Sequence, residues 1–196
     1  MLRRSLLTAA AVCSIGLTGC VPLLVAGGVA VGAWIGSDPR KTTLIESDTN
    51  SAATISASII DTFKEKVHVN VTVYNGVALL TGEVPDAAAQ ARVAELARAD
   101  RRIRQVFNET VIAPNSSAAD RLNDSQLTTR VKTAILTGGN DMASVHILVV
   151  TERKVVYLMG LSSPAMASKA ADLASRVSGV QQVVKLVEHL PPASGK

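Results

Sequence analysis

The sequence is short of sulfur, of aromatic rings and of one-signed charge. Its 196 residues include two cysteines, one tryptophan, two tyrosines and two phenylalanines. Cys13 sits inside an apolar stretch near the N-terminus and Cys20 closes it. A disulfide framework is excluded, so stability must come from packed cores. With so few rings, those cores are aliphatic, built from Val, Ala, Leu and Ile. Cys-x-x-Cys, a glycine-rich phosphate loop and Gly-x-Ser-x-Gly are all missing, so no enzyme activity, metal or cofactor is expected. The formal charge of +4 falls to +2 once Arg3 and Arg4 are set aside, leaving 18 basic against 16 acidic side chains. That balance asks for no nucleic-acid partner. The basic run from Arg98 to Arg104 reads as a solvated helix end.

What is present begins at the N-terminus. Arg3 and Arg4 precede the apolar run Leu6 to Leu17, then Thr18, Gly19 and Cys20. A basic start, a short apolar centre and small residues before a cleavage point make a secretory signal, residues 1–19. The order Leu17-Thr18-Gly19-Cys20 resembles a bacterial lipobox, which implies a lipid on the Cys20 thiol. Behind it, Val21 to Ile35 is apolar but only 15 residues long, short of the roughly 20 that a helical span needs. Residues 20–46 therefore read as a lipid-anchored tether. Val21, rather than the Asp of an inner-membrane retention signal, follows Cys20, so the lipobox resemblance implies sorting to the outer membrane at its periplasmic face.

The rest of the chain repeats itself. Val67 to Val84 aligns with Val145 to Ser162 at an offset of 78, pairing His68 with His146, Leu80 with Leu158 and Gly82 with Gly160. Helical spacing precedes each block, at Ile55, Ile59, Phe63 and at Leu127, Val131, Ile135. Asn75-Gly76 is a strong hairpin turn because both residues tolerate positive φ; Arg153-Lys154 is a poorer one. Pro85-Asp86 and Pro164 open a second helix in each unit. Each unit thus reads helix-strand-strand-helix-strand. The hairpin makes the first pair of strands antiparallel, and the helical crossover makes the second pair parallel. The expected fold is α+β: two tandem units, each a three-stranded mixed sheet with two helices on one face and a core of its own. The boundaries are 47–113 and 121–190, with a linker at 114–120 and a tail at 191–196.

A helix-strand-strand-helix-strand repeat with Val-x-Val before its hairpin and Leu-x-Gly after it resembles the BON domain. Two such units behind a lipobox resemble the dual-BON outer-membrane lipoproteins. Ser37-Asp38-Pro39-Arg40, Tyr157 to Leu161 and Ala170 to Val180 fit that group closely. The resemblance implies a non-enzymatic envelope protein that supports outer-membrane integrity, binds anionic phospholipid through its second BON domain and gathers at the division site. An alternative of another class is a periplasmic adaptor whose BON domains hold a protein partner, with lipid serving only as tether.

The candidate contact surface is the first helix of the second unit, capped by Asp124 or Ser125. On a helical wheel Leu127, Val131 and Ile135 face the sheet. Gln126, Thr129, Thr133 and Leu136 project outward, with Lys132 flanking that face near Leu136 and Arg130 flanking the core side. An aliphatic tip beside cations suits an anionic membrane surface. Family members carry an aromatic where Gln126 stands, which implies weaker anchoring here. The matching helix of the first unit, with Thr54, Ser58 and Thr62, carries no cation or exposed leucine on that face. His68 and His146 begin equivalent strands with no second ligand at metal spacing, and read as outward strand positions.

Overall fold

The computed structural model describes residues 40–138 and 147–189. The signal segment, Cys20, the tether up to Pro39, His146 and the 191–196 tail lie outside the described residues. The first unit runs α1 (Thr42–Phe63), a single 3-10 turn (Lys64–Lys66), β1 (His68–Tyr74), β2 (Val77–Val84), α2 (Ala87–Arg98) and β3 (Gln105–Ile112). The second runs α3 (Ala118–Gly138), β4 (Ile147–Glu152), β5 (Val155–Ser162), α4 (Pro164–Ser175) and β6 (Gln182–His189). Each sheet holds its hairpin partner antiparallel and its crossover partner parallel, with β2 and β5 central. The α+β fold of two tandem three-stranded units is as the repeat foretells.

Two helix starts differ from the sequence reading. α1 opens at Thr42, inside the segment read as tether. α3 opens at Ala118, inside the segment read as linker. Its start is fixed by a reciprocal pair: the Ser117 hydroxyl accepts from the Asp120 amide at 3.1 Å, and the Asp120 carboxylate accepts from the Ser117 amide at 3.2 Å. This is capping-box chemistry. It stands about two turns before the Asp124-Ser125 start that the sequence suggests.

Asp124 does something else. It is buried inside α3, and its carboxylate accepts from the amides of Arg153 at 2.7 Å and Lys154 at 3.0 Å. Those two residues form the β4–β5 turn, both at positive φ, 51° and 64°. The first unit repeats the device. Asp48 of α1 accepts from the amides of Asn75 at 2.6 Å and Gly76 at 2.8 Å. Charge-assisted bonds from both turn amides offset the cost of left-handed backbone. Asn-Gly adopts that backbone readily; Arg-Lys needs the clamp.

Each unit has its own core. Ile55, Ile59, Leu80, Val84 and Val93 pack in the first, and Leu127, Val131, Ile135, Val156 and Leu158 in the second. A third cluster joins the units. Tyr74, Val77 and Leu79 meet Tyr157 and Met159, with Phe107, Leu148, Val150 and Leu186 around them. The two sheets pack back to back on the faces their helices leave bare. That is why all eight residues of β2 are buried. The expectation of separate cores holds within each unit but misses this shared one. Its signal was the unbroken apolar run Val77 to Leu80, which marks a strand covered on both faces.

Gly82 is required where β2 passes β1. Its φ is +111°, and a Cβ there would lie 2.0 Å from the His68 carbonyl oxygen.

Candidate lipid-contact surface and the interdomain seam

α3 lays its buried stripe, Leu127, Val131 and Ile135, on the second sheet. The opposite face carries Gln126, Thr129, Lys132, Thr133 and Leu136, all exposed, with Arg130 beside them. Thr129 and Thr133 donate their hydroxyls to the carbonyls one turn back, Ser125 at 3.1 Å and Thr129 at 3.0 Å. With the hydroxyls satisfied inside the helix, this face is less polar than its composition suggests. Arg130 is partly committed: its Nη1 donates to the Ser178 carbonyl at 3.0 Å, tying α3 to the turn before β6. Protein packed around Lys132 lowers its ammonium from the ordinary value, though solvent reaches the side chain.

One residue escaped the sequence reading. Leu122 is 59% exposed and Leu136 is 52% exposed. They lie fourteen residues apart on one helix, about 21 Å at 1.5 Å per residue, and within about 40° of each other around it. With the helix start placed at Asp124, Leu122 fell outside it; only the Ser117–Asp120 pair reveals the extra turns. α1 is a closer match than the sequence implies. Its Ile60, 61% exposed, stands where α3 has Leu136. What α1 lacks is a cation of its own at the matching positions: Ser56 and Thr54 occupy the places of Lys132 and Arg130, and the acidic Glu46 that of Leu122.

The seam between the sheets is apolar at its centre and charged at both ends. At one end Arg104 pairs with Glu188, which also accepts from the Asn75 amide group at 2.8 Å. At the other, His68, Glu83 and Glu152 bring one ligand-capable atom each to within 4.8 Å of one another. The repeat placed His68 at an outward strand position, but its strand faces the other unit. The fold supplies two carboxylates that no sequence spacing could show. Glu83 is fully buried; it accepts from Arg153 Nη1 at 3.2 Å and from the Ser116 amide at 3.1 Å. Glu152 accepts from Asn70 at 2.7 Å and from Thr81 at 3.4 Å, both on Oε2. Burial pushes the Glu152 carboxyl up, with the Glu83 and Asp124 charges adding to it. Burial and the Arg121 charge pull His68 down. Arg121 Nη1 lies 3.3 Å from His68 Nδ1, and the Asn70 amide nitrogen 3.4 Å from Nε2. A neutral imidazole accepts at one nitrogen only, so His68 faces one donor too many.

Comparison with known proteins places these features. The BON domain model matches twice, at residues 47–114 and 123–191. The chain is 36% identical over 179 residues to the outer membrane lipoprotein DolP of Haemophilus influenzae, covering 90% of this chain and 92% of that protein. It is 32% identical over 127 residues to a 21 kDa hemolysin of Actinobacillus pleuropneumoniae, covering 65% of each. Among solved structures, CdsD, a structural protein of the type III secretion system of Chlamydia trachomatis, overlaps 72% of this chain and 92% of its own at TM-score 0.31 and 14% identity. That overlap is too loose to carry a functional argument. The doubled family match and the near full-length likeness to an outer-membrane relative show that the chain belongs to the BON-domain family, as a lipoprotein of the outer membrane.

Proposed function

We propose that the outward face of α3 is where this lipoprotein contacts anionic phospholipid, with Cys20 carrying the anchor. The contact would serve outer-membrane integrity, and gathering at the division site follows from the same family resemblance. The observation that carries the reading is the pair of exposed leucines at the two ends of one helix face. Lys132 stands beside that face and Arg130 at its edge, and its threonine hydroxyls are turned back into the helix. A helix so built lies flat on a bilayer. Its leucines enter the acyl boundary while its cations meet phosphate. Among the described residues no helix is long and apolar enough to cross a membrane, so the folded part reaches lipid only by such surface contact. The test is the binding of fragment 40–196 to anionic and to zwitterionic vesicles. Omitting residues 1–39 removes both the anchor and the apolar tether, either of which would bind by itself. Binding to anionic vesicles alone supports the reading; no binding to either favours the adaptor.

A further inference from the structure

We propose that His68, Glu83 and Glu152 form a divalent transition-metal site, of the zinc class, that bridges the two BON units. His68 and Glu83 come from β1 and β2 of the first unit and Glu152 from β4 of the second, so one ion would hold ligands from both sides of the seam. The donor set is one imidazole nitrogen and two carboxylates. That mixture suits zinc or cobalt and is poor for magnesium or calcium, which take oxygen alone.

The arrangement is not simply a closed ion-pair network. Arg153 reaches one oxygen of Glu83 and Arg121 reaches one nitrogen of His68, but neither bonds Glu152. Both donors to Glu152 share its Oε2, and no donor among the described residues reaches Oε1. Left without a protein donor, that oxygen is available to an ion. A buried polar atom stands unsatisfied beside the cluster: Ser116 Oγ has no hydrogen-bond partner, on the residue whose amide bonds Glu83. With three protein ligands, a zinc ion keeps a position for water, and Ser116 Oγ is the polar group such a water would meet. Arg121 and Arg153 are exposed side chains at the outer edge of the cluster. Both can swing into solvent as the ion takes their place, which keeps the local charge balanced.

The experiment uses the full lipoprotein in detergent, stripped with chelator and titrated with zinc chloride by calorimetry. Cobalt serves as the spectroscopic probe and magnesium as the control. Saturation at one zinc per chain is expected, with a rise in melting temperature and no response to magnesium. His68→Ala and the near-isosteric Glu152→Gln should each weaken zinc binding at least about tenfold, the scale on which metal sites respond to damage in their surroundings. His189→Ala, at the end of β6, should leave binding unchanged. Circular dichroism of Glu152→Gln confirms that the fold survives. The proposal is overturned if the parent shows no saturable binding at millimolar zinc, or if both His68→Ala and Glu152→Gln bind zinc like the parent.

Discussion

At the scale of single residues, the two clamping aspartates organise each unit. Asp48 and Asp124 occupy equivalent places, one turn before the buried Ser51 and Leu127 of their helices, and each holds both amides of a hairpin turn. Asp124→Ala should therefore cost about 2–4 kcal/mol in denaturant unfolding, because it strips two charge-assisted bonds from a buried site. Lys154→Gly in that background should recover about 1 kcal/mol, since φ of 64° costs glycine nothing. If Lys154→Gly recovers nothing, backbone strain is not what the clamp offsets. Asp-Ser ahead of an apolar stripe looks in sequence like a helix cap. The acceptor's true partners lie 29 and 30 residues away, so no local pattern reports them. Only the repetition of an aspartate ahead of both apolar stripes could have.

Tyr157 is a second test at this scale. Its hydroxyl is pushed up to about 12 by burial in the seam, with the Glu109 and Glu152 charges adding to it. The folded form thus keeps a proton that the unfolded chain loses near 10. The stability this provides is complete below about 10 and is lost as pH rises through about 12. Ultraviolet titration should show a tyrosine that ionises only near 12 in the folded protein. The same titration in denaturant should move that step down to about 10.

At the scale of elements, α3 carries the functional claim and α1 is its internal control. The stripes Leu127-Val131-Ile135 and Ile55-Ile59 are legible because a helix on a sheet must bury every third or fourth residue. The outward face was only half legible, since exposure depends on where the helix begins, and that was set by Ser117 and Asp120. Fragment 40–196 lacks tryptophan, because the chain's one tryptophan is Trp34. Gln126→Trp thus places a sole reporter on α3, and Asn50→Trp places one at the matching position of α1. The emission of the Gln126→Trp variant should shift to the blue with anionic vesicles and stay put with zwitterionic ones. That of the Asn50→Trp variant should shift with neither. An indole suits the headgroup region, so binding itself should also tighten for Gln126→Trp. Equal shifts in both variants would mean that the cations of α3 do not select the docking face.

At the scale of the whole molecule, the two units share a seam of apolar and polar contacts. Local patterns gave the repeat, the strand order and each unit's core, because those depend on neighbours in sequence. The seam depends on residues 70 to 113 positions apart, such as Glu83 with Arg153 and Asn75 with Glu188, and only the doubly apolar central strands hinted at it. Met159, 1% exposed, belongs to β5 yet packs in the cluster that includes Leu79 of β2. Met159→Ala should cost about 2–4 kcal/mol and speed amide exchange in β2 as well as in β5. Exchange that quickens in β5 alone would mean that the units fold independently. The joined body leaves α3 facing outward while the bare sheet faces are spent on each other, which is why the proposed lipid contact is placed on the helix. The most direct measurement is co-sedimentation of fragment 40–196 and its Leu122→Glu/Leu136→Glu double variant with anionic vesicles. The parent should bind and the variant should bind at least about tenfold more weakly with unchanged far-ultraviolet circular dichroism, since burying a leucine contributes roughly 1.5–3 kcal/mol. A double variant that binds as tightly as the parent would contradict the account.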